Sequence, residues 1–312
     1  MTATTDFKEL EPLSAEIPAA AKVQTPLGRF VTDFAESKLA LGGFFTFLVI
    51  VVIAVLAPWI SPTNPYDLAA VDILDSRLPP GEAMMTGTVA WLGTDGLGRD
   101  MVSAMAYGLR ISLGVGAASG FIALCIGVCV GLVSAYFGGR VDTLIMRIVD
   151  LQLSFPAILI ALVLLATMGK GVDKIIIALI VVQWAYYART VRGSALVERN
   201  KEYIEAATCL ALSHNRVVFR HLLPNVMPPL IVVGTVQVAH AIALEATLSF
   251  LGIGLPVTEP SLGLLISNGF EFMMSGKYWI SIYPGVALLV TIVSINLVGD
   301  RLRDVLNPRL AR

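Results

Sequence analysis

Six long apolar runs divide this chain, and they constrain its fold more than any other feature. A helix needs roughly 20 apolar residues to cross the hydrocarbon core of a bilayer. The sequence predicts six such helices, over residues 39–60, 111–137, 143–168, 175–191, 224–251 and 279–298. The composition agrees, because 56% of the 312 residues are hydrophobic and only 14% are charged, whereas soluble domains carry about 25% charged residues. We therefore expect an all-α integral membrane protein with six transmembrane helices.

Lysine and arginine are distributed unevenly among the segments that connect these runs. If the N-terminus is cytoplasmic, the segments on the far side of the membrane hold only Arg77, Arg99, Arg110, Lys170, Lys174 and Lys277. Most of the 22 basic residues then face the cytoplasm, as the positive-inside rule requires. The charges therefore predict that both termini and residues 189–220 are cytoplasmic. The first run is too long for the apolar part of a cleaved signal peptide, so we expect it to remain as a span.

A polar segment, residues 202–225, lies between the fourth and fifth runs and cannot cross lipid. Within it, one predicted helical face carries a glutamate, small residues and a leucine, namely Glu205, Ala206, Ala207, Leu210 and Ala211. Small alanines let a helix lie close to a partner surface. A glutamate in the first turn is favoured by the helix dipole and can accept hydrogen bonds from a partner's Arg or Lys. These features predict a helix that docks into a groove of a soluble partner.

The alternative is an amphipathic helix that rests on the inner membrane surface. Its apolar face would be modest, because Thr208, Ser213 and His214 interrupt it. The sequence therefore favours docking on a protein over binding to lipid at this segment.

The Glu205-Ala206-Ala207 triplet, followed by Leu222-Leu223-Pro224, resembles the EAA loop of bacterial ATP-binding-cassette (ABC) import permeases. The resemblance implies a short coupling helix that inserts into a cleft on a cytoplasmic ATPase. It also implies that ATP and Mg²⁺ bind to the partner ATPases and that this chain needs no cofactor. The family has glycine where this chain has Ala211. A sharp turn is therefore not expected there, and we predict that the helix continues or bends at Ser213-His214.

A second group of motifs narrows the resemblance to the C-type permease of dipeptide and oligopeptide importers. It consists of residues 92–100, Ser103, Tyr107-Gly108, Arg110, Ser112-Leu113 and Val115-Gly116. Its glycine-rich part lacks the Gly-Lys-Ser/Thr ending of a phosphate loop. Asp100 is expected to cap the helix that follows. This glycine-rich run, residues 92–100, either stabilises the outer loop or contacts a protein that delivers the substrate.

Further family motifs extend the resemblance over about residues 88–310. They are Tyr136-Phe137-Gly138-Gly139, Met146-Arg147, Asp150, Phe155-Pro156, Glu245-Ala246, residues 248–252, Pro284-Gly285, Asn296, Gly299-Asp300, residues 302–304 and Asn307-Pro308. They imply a type I ABC importer permease in the bacterial cytoplasmic (inner) membrane. The implied partners are a second homologous permease in a heterodimer, two cytoplasmic ABC ATPases, an extracytoplasmic solute-binding protein and membrane lipid.

We expect four regions in the chain. They are a cytoplasmic tail (1–38), a first helix with a large outer loop (39–110), a permease core with a coupling loop at about 195–222 (111–302), and a cytoplasmic tail (303–312). No internal repeat is evident. The net charge of −1 gives no indication of nucleic-acid binding, and the chain has no catalytic or metal-binding motif.

Charged and polar residues within the spans are candidate functional groups, because each charge costs about 2.5–3.5 kcal/mol at mid-bilayer on insertion scales. Arg147 and Asp150 have a spacing that predicts a structural ion pair. Glu245 either makes structural hydrogen bonds or takes part in gating near the mouth of a pathway. Gln237 and His240 lie on the same helix and are also possible pathway or gating residues, although a lone interior histidine is more often structural than a proton relay.

Two other classes of membrane protein are less compatible with the sequence. An ion-driven secondary transporter would need unpaired buried carboxylates and usually inverted repeats. An intramembrane enzyme would need a nucleophile with its base, or a metal site. The sequence does not identify the transported solute, since related permeases serve peptides, nickel, opines, glutathione or glycosides.

Overall fold

The computed structural model describes residues 25–67 and 71–306 and is built from helices. In chain order these are α1 Pro26–Ala35, α2 Lys38–Ile60, α3 Met101–Phe137, α4 Gly139–Ser154, α5 Ala157–Met168, α6 Val172–Arg199, α7 Glu202–Cys209, α8 His214–Phe250, α9 Leu262–Phe270 and α10 Trp279–Leu306. Helices α3 and α6 finish at the end of the bundle that carries α7, which we call the α7 end. The opposite end carries α9.

Five helices, α2, α3, α6, α8 and α10, are long and apolar enough to cross a membrane. The pair α4 and α5 makes a sixth span if it is taken together, although the two are bent by 87°. Six spans and an all-α fold are thereby confirmed, but the third span is broken. The break follows from Pro156, which lacks an N–H group and disfavours helical geometry in the residue before it. Phe155 is accordingly extended, with φ −93° and ψ 142°.

The starts of two spans differ from the sequence prediction, and in α3 a capping group sets the start. α3 begins at Met101 instead of residue 111, and the Asp100 carboxylate accepts from the Ser103 amide at 2.8 Å. The predicted cap is thus confirmed. α8 begins at His214 instead of residue 224.

Two helices enter the regions predicted as tails. α1 occupies part of residues 1–38, and α10 continues to Leu306 instead of ending near residue 298. The predictions for residues 1–24 and for Asn307-Pro308 and the rest of the C-terminus lie outside the described residues.

α3 and α6 approach each other closely at two glycines of α3. A methyl group at Gly127 would lie 2.3 Å from Cβ of Tyr187, and one at Gly131 would lie 2.6 Å from the Ala188 carbonyl oxygen. The two glycines form a Gly-x-x-x-Gly motif, which lets transmembrane helices pack with their backbones in contact. α6 therefore runs beside α3 with no side chain of α3 between them at this level.

A second Gly-x-x-x-Gly motif on α3 faces α8. A methyl group at Gly116 would lie 2.6 Å from Ile242 Cγ1, and one at Gly120 would lie 3.1 Å from Val238 Cγ2. α3 is therefore the central helix of the bundle, because it packs closely on both α6 and α8.

α8 begins with a widened turn, in which Val217–Leu222 are π-helical and the Leu223 amide donates to the Val218 carbonyl. The turn precedes Pro224, whose ring cannot fit against a regular preceding helical turn. The Asn225 side chain donates to the His221 carbonyl at 2.7 Å. Single π-turns of this kind often occur at functional sites.

The long loop before α3 contains a repeat that the sequence does not reveal. Two tight turns follow each other, closed by the bridges Ala83–Val89 and Thr94–Asp100. In the second turn, Asp95 and Arg99 form an ion pair of 2.7 Å with both side chains fully buried. A structural role for the glycine-rich run therefore has direct support, while contact with a delivery protein stays a prediction.

We predict that Gly127→Ala separates α3 from α6 and destabilises the protein by about 1–3 kcal/mol, as overpacking does in well-packed cores. The measurement is the thermal midpoint at which the detergent-purified protein loses its monodisperse gel-filtration peak.

Gly114→Ala is the matched control, because a methyl group there meets no atom within 4 Å. It should keep or raise the midpoint, since alanine favours helix over glycine by up to about 1 kcal/mol. Equal midpoints for the two variants would contradict the close packing.

Candidate functional site

The short helix α7 joins the ends of α6 and α8 and carries the predicted docking residues. It places Glu202 and Glu205 in its first turn, where the helix dipole favours acidic groups. Glu205 and Ala206 are exposed, and Leu210 just beyond the helix is 74% exposed. The Glu205 carboxylate has no ion-pair partner within the part of the chain that the structure describes. These residues form a free surface, which we call the α7 face.

Ala207 lies on the other side of α7, with 4% of its surface exposed. It packs with Ile204 and Val217, and Tyr136 and Leu212 pack against this cluster. Of the predicted docking residues, Ala207 therefore supports the loop from within instead of contributing to the α7 face.

Ala211 turns the chain sharply, contrary to the prediction of a continuing helix or a bend at Ser213-His214. Its φ is +52°, in the left-handed region. Its amide donates to the Thr208 carbonyl at 2.9 Å, and the Leu212 amide donates to the Ala207 carbonyl at 3.2 Å. This pair of hydrogen bonds defines a Schellman C-cap. The turn that glycine favours is thus made by an alanine.

Packing accounts for a conformation that costs an L-residue about 1–2 kcal/mol. A Schellman cap is commonly accompanied by an apolar contact between the residue after the turn and the last turn of the helix. Leu212 makes that contact, because it packs on the cluster that contains Ile204 and Ala207. The hydrogen bonds and this contact together offset the strain at Ala211.

The far side of the turn is attached to the end of α3. The Tyr136 hydroxyl and His214 Nδ1 are 2.6 Å apart. The two rings also meet edge to face, with their centroids 5.5 Å apart. α3 is therefore joined directly to the start of α8 at the base of the α7 loop.

A polar cluster fixes the near side of α7 to α6. The Glu198 carboxylate accepts from Lys201 Nζ at 2.6 Å and from the Tyr203 hydroxyl at 2.8 Å. Burial, and then the Glu198 carboxylate, raise the pKa of Tyr203 to about 12. The Tyr203 hydroxyl therefore stays protonated near neutral pH and keeps donating to Glu198. Arg199 donates to the Ala135 carbonyl at 2.8 Å, which ties the ends of α6 and α3.

Residues 127–312 match the family described as the binding-protein-dependent transport system inner membrane component. The chain belongs to this family. In addition, residues 25–80 match the N-terminal transmembrane domain of oligopeptide transport permease C. The protein is therefore a multi-pass permease subunit of an ABC transporter in the inner membrane.

Relatives of this permease are similar over nearly their whole length. A dipeptide transport system permease protein of Bacillus subtilis is 37% identical over 89% of this chain and 84% of its own length. A di/tripeptide transport system permease protein of Pseudomonas aeruginosa is 36% identical over 92% and 93%. A glutathione transport system permease protein of Pectobacterium atrosepticum is 34% identical over 92% and 93%.

The fold resembles that of a solved structure of the MetNI methionine ABC transporter in an inward-facing conformation. The two chains share 21% identity with a TM-score of 0.56, over 66% of this permease and 98% of that chain. The likeness supports the type I importer fold of the permease.

The predicted ion pair between Arg147 and Asp150 is wrong. Asp150 pairs instead with Arg189 of α6, and no ion pair of Arg147 is found within residues 25–67 and 71–306. A second bridge lies closer to the α7 end of the permease, where Arg192 Nη2 donates to Asp142 at 2.6 Å. The two bridges run side by side and hold α4 against α6.

Glu245 is fully buried near the α9 end of the permease. Its carboxylate accepts from the Ser112 hydroxyl at 2.8 Å and from the Ser249 hydroxyl at 2.8 Å. The hydrogen bond from Ser112 crosses from α3 to α8. This geometry supports the structural alternative for Glu245, which joins two spans in the interior.

Gln237 and His240 differ in their surroundings although they lie one turn apart on α8. Gln237 is 8% exposed, and its Nε2 is buried without a hydrogen-bond partner among the residues described. His240 is exposed on the surface of the permease within a span. Neither contacts Glu245, so the three predicted pathway residues do not form one site.

Sequence reasoning missed the residues that hold the α7 loop and α4 in place. They are Tyr136, His214, Glu198, Tyr203, Asp142, Arg189 and Arg192. Each of these side chains contacts a helix or turn other than its own. The spacing of residues within one helix does not reveal such contacts. In the described part of the permease, no group of three His, Cys, Asp or Glu side chains is arranged to hold a metal.

We predict that Ala211→Gly stabilises the turn by up to about 1 kcal/mol, because glycine adopts a positive φ without strain. Amide hydrogen exchange in the α7 loop should slow by about fivefold, and uptake should persist.

Ala211→Val places a β-branched residue in the left-handed region and should have the opposite effect. Faster loop exchange in Ala211→Gly than in wild type would contradict the strained turn at this position.

Proposed function

We propose that this permease is one of two homologous membrane subunits of an ATP-driven peptide importer and that its α7 face docks on a cytoplasmic ABC ATPase. The observation that carries the proposal is the α7 face itself. It exposes Glu205, Ala206 and Leu210 on a helix whose other side and both ends are fixed to the spans. ATP and Mg²⁺ bind to the ATPases, and this chain contributes no catalytic group.

The positive-inside rule supports an orientation with both termini and the α7 end in the cytoplasm. The opposite end then faces a solute-binding protein, which delivers the substrate to the heterodimer of permeases. In this orientation the long loop before α3 and the helix α9 lie outside the cytoplasm.

The attachments of α7 suggest how closure of the ATPases reaches the spans. A displacement of α7 pulls on α3 through Tyr136, which packs against Ile204 and Ala207 of α7. It pulls on α6 through Glu198 and Tyr203. The Gly127 and Gly131 contacts keep α3 and α6 together as they move. The three helices α3, α6 and α7 therefore shift as one body, which is the rigid-body type of alternating access.

Peptides are the proposed substrate class because the relatives named for dipeptides and di/tripeptides are 36–37% identical over most of the chain. Glutathione, itself a small peptide, is the solute named for another relative. His240 supports a pathway on its side of α8, since ionisable groups within spans rarely face lipid. Nickel, opines and glycosides remain alternatives that transport assays distinguish.

We predict that Glu205→Lys lowers ATP-dependent uptake by about tenfold or more, because a lost charged contact in a docking interface costs roughly 1.5–3 kcal/mol. Uptake into cells or proteoliposomes and co-purification of the ATPases are both measured.

Glu82→Lys is the control, since it reverses an exposed carboxylate at the opposite end of the permease. It should leave co-purification of the ATPases near the wild-type level. Wild-type uptake in Glu205→Lys, or uptake that survives ATP depletion, would remove the proposed coupling role.

The substrate class is tested with the purified cognate binding protein and with uptake competition. Dipeptides and tripeptides should raise the thermal midpoint of the binding protein and compete with labelled dipeptide for uptake. Stabilisation by a nickel salt, an opine or a glycoside alone would exclude peptides while leaving the ABC importer intact.

A further inference from the structure

A small pocket lies in the long loop between α2 and α3, and its volume is about 160 Å³. It is lined by Thr63, Asn64, Val71, Asp75, Met84, Thr86, Gly98 and Arg99. All of these residues come after α2 ends at Ile60 and before α3 begins at Met101. The pocket is therefore built by the loop alone, outside the membrane-spanning helices.

The pocket contains a buried carboxylate without a counter-charge. Asp75 lines the pocket, although only 4% of its surface is exposed. Its two oxygens share one donor, the Met85 amide, at 2.9 and 3.1 Å. No ion pair of Asp75 is found within residues 25–67 and 71–306. An ionised carboxylate accepts about four hydrogen bonds, so Asp75 keeps acceptor capacity for a ligand.

Arg99 also lines the pocket, but its charge is already neutralised. Its Nε donates to Asp95 Oδ2 at 2.8 Å, and its Nη2 lies 2.7 Å from the same oxygen. The pair of Asp95 and Arg99 carries no net charge, which leaves the pocket with the negative charge of Asp75. A buried charge is costly when it has no partner. A cation that reaches Asp75 is therefore stabilised there.

The other walls of the pocket suit a long aliphatic side chain that ends in a cation. Met84, which is 5% exposed, and the half-buried Val71 provide apolar surface. Asn64 and Thr86 are exposed, so they form the rim on the water side. Lysine carries its ammonium group on a four-carbon stem that packs along apolar surface. Its three N–H groups need acceptors, which Asp75 and the polar rim provide.

The backbone around Asp75 is fixed by contacts within the loop. The Asp75 amide donates to the Asp72 carbonyl at 3.0 Å, and the Asp75 carbonyl accepts from the Thr94 hydroxyl. Gly98 closes the pocket against the same segment, because a methyl group there would lie 2.6 Å from the Asp72 carbonyl oxygen. The pocket is therefore formed in the absence of a ligand, which lowers the entropy cost of binding.

We propose that this pocket is the docking site for a lysine side chain of the solute-binding protein, whose ammonium group pairs with Asp75. The inference rests on the proposed function, which places this loop in the compartment of the binding protein. The net negative charge of the pocket is complementary to a basic side chain. The adjoining residues Leu68, Ala69 and Ala70 are uncharged, so they do not supply the cation.

The test measures how tightly the purified cognate binding protein binds to the complete transporter in lipid nanodiscs. Asp75→Asn removes the charge but keeps an oxygen that accepts from the Met85 amide, so the loop should retain its fold. This variant should bind the binding protein about tenfold or more weakly, because a hydrogen bond to a charged group is worth at least that factor.

Glu82→Gln is the matched control, since it removes an exposed carboxylate from the same loop but does not line the pocket. It should bind within about twofold of wild type, as surface charges usually contribute little. Thr86→Lys places an ammonium group at the exposed rim, where it can occupy the pocket, and should weaken binding as Asp75→Asn does. Wild-type affinity in Asp75→Asn, or an equal loss in Glu82→Gln, would overturn the proposal.

A double-mutant cycle identifies the lysine. Among Lys→Gln variants of the binding protein, one should bind wild-type permease weakly without weakening Asp75→Asn further. The absence of such coupling would contradict the site, as would cross-links from a Thr86→Cys variant to the second permease instead of the binding protein.

Failure of this site is distinguishable from failure of the proposed function. Wild-type uptake that needs no binding protein would contradict the importer itself. Uptake that depends on the binding protein, together with unchanged affinity in Asp75→Asn, would contradict only the pocket.

Discussion

The backbone contact between α3 and α6 at Gly127 and Gly131 is the constraint on which the α7 end of this permease depends. It is possible only because neither residue has a side chain, and methyl groups there would overlap Tyr187 and Ala188. With α3 and α6 held at this distance, the end of α3 brings Tyr136 to the base of the α7 loop. The α7 face is therefore positioned by packing in the bilayer as well as by the loop itself.

The number of spans and the place of the polar loop could be predicted from the sequence, because both depend on apolar content. An apolar stretch marks where a helix contacts lipid or core, but it does not mark where the helix ends. α3 therefore begins at its Asp100 cap, well before the apolar run. The bend at Pro156 also arises from the local sequence. Its angle of 87°, however, depends on how α5 packs across α6 and α8.

Partners in other helices explain most of what the sequence did not predict at the site. Arg147 and Asp150 have the spacing of a helical ion pair, but Asp150 pairs with Arg189 of α6. At Ala211, likewise, the residue type alone does not predict the backbone conformation. Residue type alone argues against a positive φ at alanine, whereas the hydrogen bonds of Thr208 and Leu212 and the packing of Leu212 favour it. These hydrogen bonds and this packing offset a local preference of about 1–2 kcal/mol.

α3 and α8 are joined near both ends of the permease. The contact near α9 is buried, whereas the contact near α7 is exposed. Near the α9 end, the buried Ser112 hydroxyl donates to the buried Glu245 carboxylate. At the α7 end, Tyr136 meets the exposed His214 beside the π-helical turn of α8. A hydrogen bond shielded from water is stronger than one that water can replace. Relative movement of the two helices is therefore easier at the α7 end, which is where the proposed ATPase contact would apply force.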